Sequence, residues 1–378
     1  MAKDLKREHL LATPLEAFTA FCQDHDLPAY RARQVMEWVY RRGVLDFAAM
    51  TNLSKDLRTK LADHWAIETA TEVRRQVAKD GTIKLLLGWP DEATSECVLI
   101  PDGKRRTACI SSQVGCPVRC AFCASGINGL QRQLTAGEIV EQVCRIRELT
   151  EFPERDALRR SVAVRDDTSG SGVRSNRLTN VVFMGLGEPL ANYHNVIRAI
   201  RCINADWGLN IGARNITVST VGLPAQIRKL AKEELQINLA ISLHAPTDEL
   251  RRKLIPWAQR VPMEELIAAG RYYFDQTGRE LTLEYLLLAG VNDQPEQAIE
   301  LVKISRKMRA NVNLIRFNPV QGLPFERPSG FDAHKFLERL RDRGVNAHIR
   351  KSRGLDIDAA CGQLRRSQAK HREAEGRH

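Results

Sequence analysis

The chain is predicted to be an α/β protein in which a small helical opening and a few antiparallel strands lead into a parallel sheet, curled into a barrel or part of one. Three observations carry this. Apolar residues recur at helical spacing between residues 15 and 61. The period falls to two between residues 73 and 100. From Asn180 onward, short apolar runs read as strands buried on both faces, and they take turns with helical stretches in the pattern of repeated β-α units.

The opening reads as three helices. Thr13-Pro14-Leu15-Glu16 has the form of a capping box with proline at the first helical position, followed by Leu15, Phe18, Phe21 and Cys22. Arg31 to Arg42 repeats the pattern with Val35, Trp38 and Val39 and stops at Gly43, and Ser54 caps a third helix carrying Leu57 and Leu61. Strands follow at Val73 to Val77, Ile83 to Leu87 and Cys97 to Ile100, with turns at Asp80-Gly81 and Pro101-Asp102-Gly103. After a cysteine-rich loop come strand Asn180 to Met184, helix Tyr193 to Ala205, strand Asn215 to Ser219 and helix Pro224 to Ala231. Strand Ile237 to Leu243, helices from Asp248 and from Met263, strand Leu281 to Leu288 and helix Pro295 to Met308 continue the series. It closes with strand Asn313 to Phe317, helix Asp332 to Arg341 and strand Ala347 to Ile349. Ligands of such folds sit at the carboxyl ends of the strands.

The run 154–177 is polar and rich in Ser, Gly and Arg and reads as an exposed insertion between helix and strand. The tail from Arg365 reads as loose. The expected division is a helical accessory unit at 1–68, a β-hairpin connector at 69–104, the barrel at 105–352, and a C-terminal segment at 353–378.

A chain of 378 residues with 43% hydrophobic content can bury a large core in more than one domain. The net charge of +11 and pI of about 9.3 suit a polyanionic partner such as nucleic acid, and equally a merely basic enzyme. Arg31, Arg33, Arg41, Arg42, Lys55, Arg58 and Lys60 supply the helical opening with phosphate contacts or with a solvated basic face. Nine cysteines, and an opening MAKDLKREHLLA without an apolar signal region, point to a reducing cytoplasm without structural disulfides. No window approaches the roughly 18 to 20 apolar residues needed to span a bilayer.

Cys109 to Gly126 reads CISSQVGCPVRCAFCASG. The C-x-x-x-C-x-x-C spacing of Cys116, Cys120 and Cys123 gathers three thiolates on one tight loop, which suits three irons of a [4Fe-4S] cubane and leaves the fourth iron without a protein ligand. A structural zinc site wants four closed ligands in paired blocks, and no downstream Cys or His completes them. Met184-Gly185-Leu186-Gly187-Glu188-Pro189 directly follows a strand; its glycines admit a close ligand and Glu188 offers a carboxylate to a ligand ammonium. Ser219 in TVST, Ser242-Leu243-His244 in ISLH and Asn318 in FNP end three later strands with polar groups, and jointly they mark a site. Cys22, Cys97, Cys144 and Cys202 have no motif around them and are expected to be buried as small hydrophobes.

CPVRCAFC resembles the cluster loop of the radical S-adenosylmethionine (SAM) enzymes, and GLGEP resembles their segment that contacts the methionine amine of SAM. With SSQVGC, TVST, ISLHAP, RFNP and DIDAACGQL, nearly the whole chain is similar to the radical SAM RNA methyltransferase family, and most of all to its dual-specificity adenine-C2 branch. It departs from that family at 154–177 and at Arg119, where relatives often carry glycine.

The resemblance implies a partial (β/α)6-type barrel and a [4Fe-4S] cluster on Cys116, Cys120 and Cys123 whose open iron binds SAM. Gly187, Glu188, Ser219, Ser242, Leu243, His244 and Asn318 are the implied SAM contacts, with two SAM consumed per turnover. Cys361 is implied as the thiol that carries a methyl group, Cys109 as its transient disulfide partner, and Glu96 as the proton acceptor. The implied substrates are adenosine 2503 of 23S ribosomal RNA and adenosine 37 of certain transfer RNAs. A flavodoxin-like electron donor, no membrane and a monomeric state complete the expectation. A neighbouring branch uses the same cysteines on adenine C8; the helical opening and the AACGQL ending look more like the C2 branch.

Overall fold

The computed structural model describes residues 7–157 and 177–364. In the helical opening, Phe18, Val35, Met36, Val39, Leu57 and Leu61 are buried together with Trp65, against whose ring Phe18 packs edge-on at 5.4 Å. Glu8–His9 pairs in parallel with Trp65–Ala66 and ties the two ends of this unit together. Ser54 caps the helix Lys55–His64 as expected, its Oγ accepting from Leu57 N at 3.3 Å.

One cap differs. The helix Leu15–Asp24 has Pro14 at its N-cap without a side-chain bond, and the Thr13 hydroxyl donates to the His9 carbonyl at 3.1 Å instead. A capping box does form on Ala136–Glu151, the helix before the 154–177 insertion, whose bounds the sequence left unassigned: Thr135 Oγ1 accepts from Glu138 N at 3.2 Å, and the Glu138 carboxylate accepts from Thr135 N at 2.8 Å.

The described residues contain one ten-stranded sheet. From one edge its order is Ala347–Ile349, Ala310–Arg316, Leu281–Leu287, Asn238–Ser242, Ile216–Thr220, Asn180–Phe183, Arg105–Cys109, Thr94–Asp102, Ile83–Gly88 and Thr71–Val77. Arg105–Cys109 lies where the sheet changes character. It is antiparallel to Thr94–Asp102, with Cys109 opposite Val98, and parallel to Asn180–Phe183, with Cys109 opposite Val182. The strands between residues 71 and 102 therefore continue the barrel sheet, and Arg105–Cys109 adds a parallel strand to the six read from Asn180 onward.

Within the parallel strands the side chains alternate. Ile216 and Val218, Leu239 and Ile241, Leu283 and Tyr285, and Val312 and Leu314 point into the main hydrophobic core. Their neighbours Thr217 and Ser219, Ala240 and Ser242, Thr282 and Glu284, and Asn313 and Ile315 line cavities on the concave face. The expectation of strands buried on both faces is corrected: one face is packed into the core, and the other is a partly polar cavity wall whose Thr217, Ser219, Ser242, Thr282 and Asn313 are only half-buried.

Of 154–177, residues 158–176 lie outside the described residues, as does the tail from Arg365. Residues 153–157 are helical, and Asp156 is not exposed, its carboxylate receiving two Arg75 bonds at 2.6 and 2.8 Å. Cys22, Cys97, Cys144 and Cys202 are buried, and all nine cysteines are unbridged. No described helix is long and apolar enough to cross a membrane.

Candidate active site

The cysteine loop leaves the strand Gln113–Gly115 through Gly115, whose φ of +81° and 2.0 Å approach of a virtual Cβ to the Gly129 carbonyl admit only glycine. Cys116 N donates to that carbonyl at 3.1 Å, Cys123 N to Cys120 O at 3.1 Å, and Ala121 N to Leu254 O at 2.9 Å. Arg119 has a φ of +56°, the left-handed region that favours glycine.

Cys116, Cys120 and Cys123 line one cavity with Gly185, Gly187, Glu188, Ser219, Ser242 and His244. Burial pushes all three thiols up, Cys116 to about 12, so a bound cation is what would make thiolates of them. Among the described residues no three Cys, His, Asp or Glu converge tightly enough for a single metal ion. Thiolates on one zinc stand roughly 3.8 Å apart, as bonds of about 2.3 Å in a tetrahedron require; the corners of a cubane are wider. The donor set of soft thiols on one loop at a mostly apolar cavity fits a [4Fe-4S] cluster.

Glu188 is buried, and its carboxylate accepts from Thr220 Oγ1 at 2.7 Å, Val221 N at 2.7 Å and Leu190 N at 3.0 Å. Burial outweighs these donors and raises its carboxyl to about 7, an environment in need of a cation. Gln113 Oε1 accepts from Glu188 N at 2.7 Å and fixes the turn. His244, at a φ of +57°, accepts from Leu286 N on Nδ1 at 3.0 Å, so Nε2 carries its hydrogen. Burial lowers its pKa to about 3 and keeps the ring neutral, with Phe122 edge-on at 4.9 Å. The Ser219 and Ser242 hydroxyls stand 3.3 Å apart.

Two of the implied SAM contacts have side chains engaged in the fold. The Leu243 side chain is fully buried in the main core, between Ser242 and His244 of the cavity. Asn318 donates from Nδ2 to the Cys361 carbonyl at 3.1 Å and accepts from Ser352 Oγ at 2.7 Å, which uses its amide to hold the C-terminal segment.

Cys361 lines the cavity of the three loop cysteines and also a second cavity that contains Cys109. Its segment is bonded to the cysteine loop, Ala124 N to Gly362 O at 2.8 Å and Ser125 Oγ to Leu364 O at 2.7 Å. Cys109 is buried, which raises its thiol to about 12, with Cys361 close enough to add to the effect. Arg350 and Glu284, absent from the sequence reading, border both cavities. Arg350 Nη1 stands 3.4 Å from Glu284 Oε2, and the guanidinium pKa is raised by the nearby Cys361 sulfur and by Glu284. Their signal in the sequence is a charged residue inside an apolar strand at Glu284 and another directly after the last strand at Arg350.

Glu96 does not face solvent. It shares its sheet face with Val98, the partner of Cys109, and its carboxylate meets Lys84 Nζ at 3.2 Å in a buried pair. Lys84 also donates to the Asp358 carbonyl at 3.0 Å, three residues before Cys361.

Residues 9–67 match the family described as the ribosomal RNA large subunit methyltransferase N-terminal domain. The chain is 42% identical to the probable dual-specificity RNA methyltransferase RlmN of Rhodopirellula baltica, over 96% of this chain and 92% of that protein. It is 44% identical to the protein of the same name from Thermosynechococcus vestitus, over 95% of this chain and 98% of that one. A crystal structure of a radical SAM methyltransferase from Sphaerobacter thermophilus superposes with a TM-score of 0.86 at 44% identity, covering 94% of this chain and 99% of that chain.

Proposed function

Because the chain belongs to the RlmN family of dual-specificity RNA methyltransferases, SAM-dependent enzymes of the radical SAM class, we propose that it forms 2-methyladenosine in ribosomal and transfer RNA. In this reading adenosine 2503 of 23S ribosomal RNA and adenosine 37 of transfer RNA are the targets. The single observation that carries it is that Cys361 borders both the cavity of Cys116, Cys120 and Cys123 and the cavity of Cys109.

Adenine C2 is electron-poor, and ordinary displacement of a methyl from SAM does not reach it. The cluster and SAM, when bound, supply one-electron chemistry at the first cavity and a methyl group. Cys116, Cys120 and Cys123 would hold the cluster, and the Glu188 carboxylate would pair with the ammonium of SAM. Ser219 and Ser242 offer hydroxyls and His244 a neutral ring. Cys361 Sγ carries the methyl group covalently, which divides one hard transfer into two steps. That methyl gives up one hydrogen atom to the radical that the bound cluster and SAM would supply, its carbon adds to C2, and the adduct gives up one electron and its C2 proton. The Cys109 thiolate then attacks Cys361 Sγ, the disulfide forms, and the carbon leaves with the C–S electron pair and takes a proton to become the methyl of the RNA. Glu96 accepts the C2 proton. The adenosine has to leave its stack to enter the second cavity, which favours loop or unpaired positions. A reducing cytoplasm, a flavodoxin-like one-electron donor and a monomeric chain suit this scheme.

The test is Cys361→Ala in anaerobically prepared protein. It is expected to hold its iron and cleave SAM while transferring no methyl to RNA, and normal methylation by this variant would reject the scheme. Because the C2 and C8 products have the same mass, chromatography of the nucleosides against 2-methyladenosine and 8-methyladenosine standards distinguishes them.

A further inference from the structure

Arg251 is the largest fully buried side chain among the described residues. It lies in the helix Asp248–Leu254, one turn before Leu254, whose carbonyl accepts from Ala121 N at 2.9 Å between Cys120 and Phe122. Leu254 packs in a small apolar cluster with Val118, Phe122 and Val221, and the three loop cysteines rest against it. Arg251 Nη2 donates to the Val221 carbonyl at 2.5 Å, and Val221 lines the cavity beside Cys120. The guanidinium thus sits behind the wall that Cys120 and Val221 form.

Its remaining polar atoms are unmatched. Nε and Nη1 are buried without a hydrogen-bond partner. Of the two acids that precede it in the helix, Glu249 pairs with Lys253 at 2.7 Å, and Asp248 is taken up by Met263 N at 2.9 Å and stands 3.8 Å from Arg252. A buried guanidinium with two idle donors and no bonded carboxylate is strongly unfavourable by itself, and native proteins keep such a charge where something compensates it. Asp248 answers its charge across space without a bond, and the other groups that sense it are Cys120 and His244, both on the cavity. With Asp248 bonded elsewhere, the further counter-charge belongs on the cavity side.

We propose that Arg251 is the fixed counter-charge of the iron–sulfur centre, a positioning residue that favours its one-electron-reduced form. This rests on the reading of Cys116, Cys120 and Cys123 as iron ligands. A cubane with three thiolates carries one net negative charge when oxidised and two after a single electron arrives from a low-potential one-electron donor. A guanidinium at fixed distance in a dry wall attracts the second charge as well as the first, so it stabilises the reduced form more. His244, held neutral, adds no competing cation.

The test is a redox titration of the anaerobic, cluster-loaded full chain, followed by the electron paramagnetic resonance of the reduced cluster, for wild type, Arg251→Gln and Arg251→Lys. At fixed potential the Gln variant is expected to show an about ten-fold lower ratio of reduced to oxidised cluster, equivalent to a midpoint about 59 mV lower for one electron. The Lys variant is expected to keep most of the wild-type ratio. An unchanged midpoint in the Gln variant, or a Lys variant displaced as far as Gln, overturns the inference. If Gln holds no cluster, loading decides: retention by Lys alone supports a charge role, and loss by both overturns it in favour of packing. Wild-type protein without iron and sulfide defeats the cluster reading itself, a result distinct from an Arg251→Gln midpoint that does not move.

Discussion

The backbone N–H of Ala124 donates to the carbonyl of Gly362 at 2.8 Å, joining the residue after the last loop cysteine to the residue after Cys361. Ser125 Oγ reinforces the join at Leu364 O, 2.7 Å away. The segment that bears Cys361 is therefore held by the loop whose cavity it serves. Ser125→Ala removes one net hydrogen bond, about 1 kcal/mol, and frees that segment locally. Alkylation of Cys361 is expected to quicken about five-fold while the global urea midpoint moves little.

The buried carboxyl of Glu188 makes ligand binding depend on pH. In the ligand-free protein its pKa stands near 7, raised by burial from the 4.5 of an unfolded chain. Below about pH 4.5 both states hold the proton and Glu188 costs nothing. Between pH 4.5 and 7 the unfolded state ionises first and stability falls, by about 3 kcal/mol at the upper end. A cationic ligand that pairs with the carboxylate should bind more tightly as pH rises through 7 and should release a proton. Calorimetry in buffers of different ionisation enthalpy reads this; Glu188→Gln is expected to bind weakly and without pH dependence.

Lys84 and Glu96 form a buried pair that also holds the Asp358 carbonyl. Glu96→Gln leaves an ammonium buried without its counter-charge and is expected to cost about 3 to 5 kcal/mol in denaturant unfolding. The double variant Lys84→Met/Glu96→Leu should recover most of that loss. If Glu96 is also the proton acceptor, RNA methylation stays lost in the double variant although stability returns.

Arg33, Arg41, Lys55 and Lys60 are exposed on the helical opening, and Arg42 stacks over Trp38 with its carbon 4.3 Å from the ring centre. If they meet phosphates, RNA affinity falls with salt by a log-log slope of about 0.7 to 0.9 per contact. Replacing Arg33 and Arg41 by Ala should then flatten the slope by about 1.4 to 1.8, measured as Kd between low and moderate salt. An unaltered slope removes this face from the RNA interface.

The fold was legible where one local pattern coincides with one element. Apolar spacing in the helical opening, period two before the cysteine loop and alternation of strand and helix after Asn180 all reappear. The failures have physical causes. Thr13 has the letters of a cap, yet its hydroxyl finds the His9 carbonyl, and a side chain bonds whichever partner the tertiary fold brings nearest. The burial of Glu96 is not written in its strand, because Lys84 and the C-terminal segment that cover it come from elsewhere in the chain. Leu243 stands between two cavity residues and points to the core because successive side chains on a strand oppose one another.

The amino-acid sequence by itself determined the chemistry available: three thiols at fixed spacing on one loop, a carboxylate after a glycine turn, and two further cysteines in distinctive surroundings. Spacing sets this because a tight loop cannot scatter residues three and four positions apart. Only the tertiary structure decided which distant residues face that chemistry. Arg251, Arg350, Glu284 and the neighbourhood of Cys361 and Cys109 depend on which strand lies beside which, and a charge's effect depends on the water that packing removes.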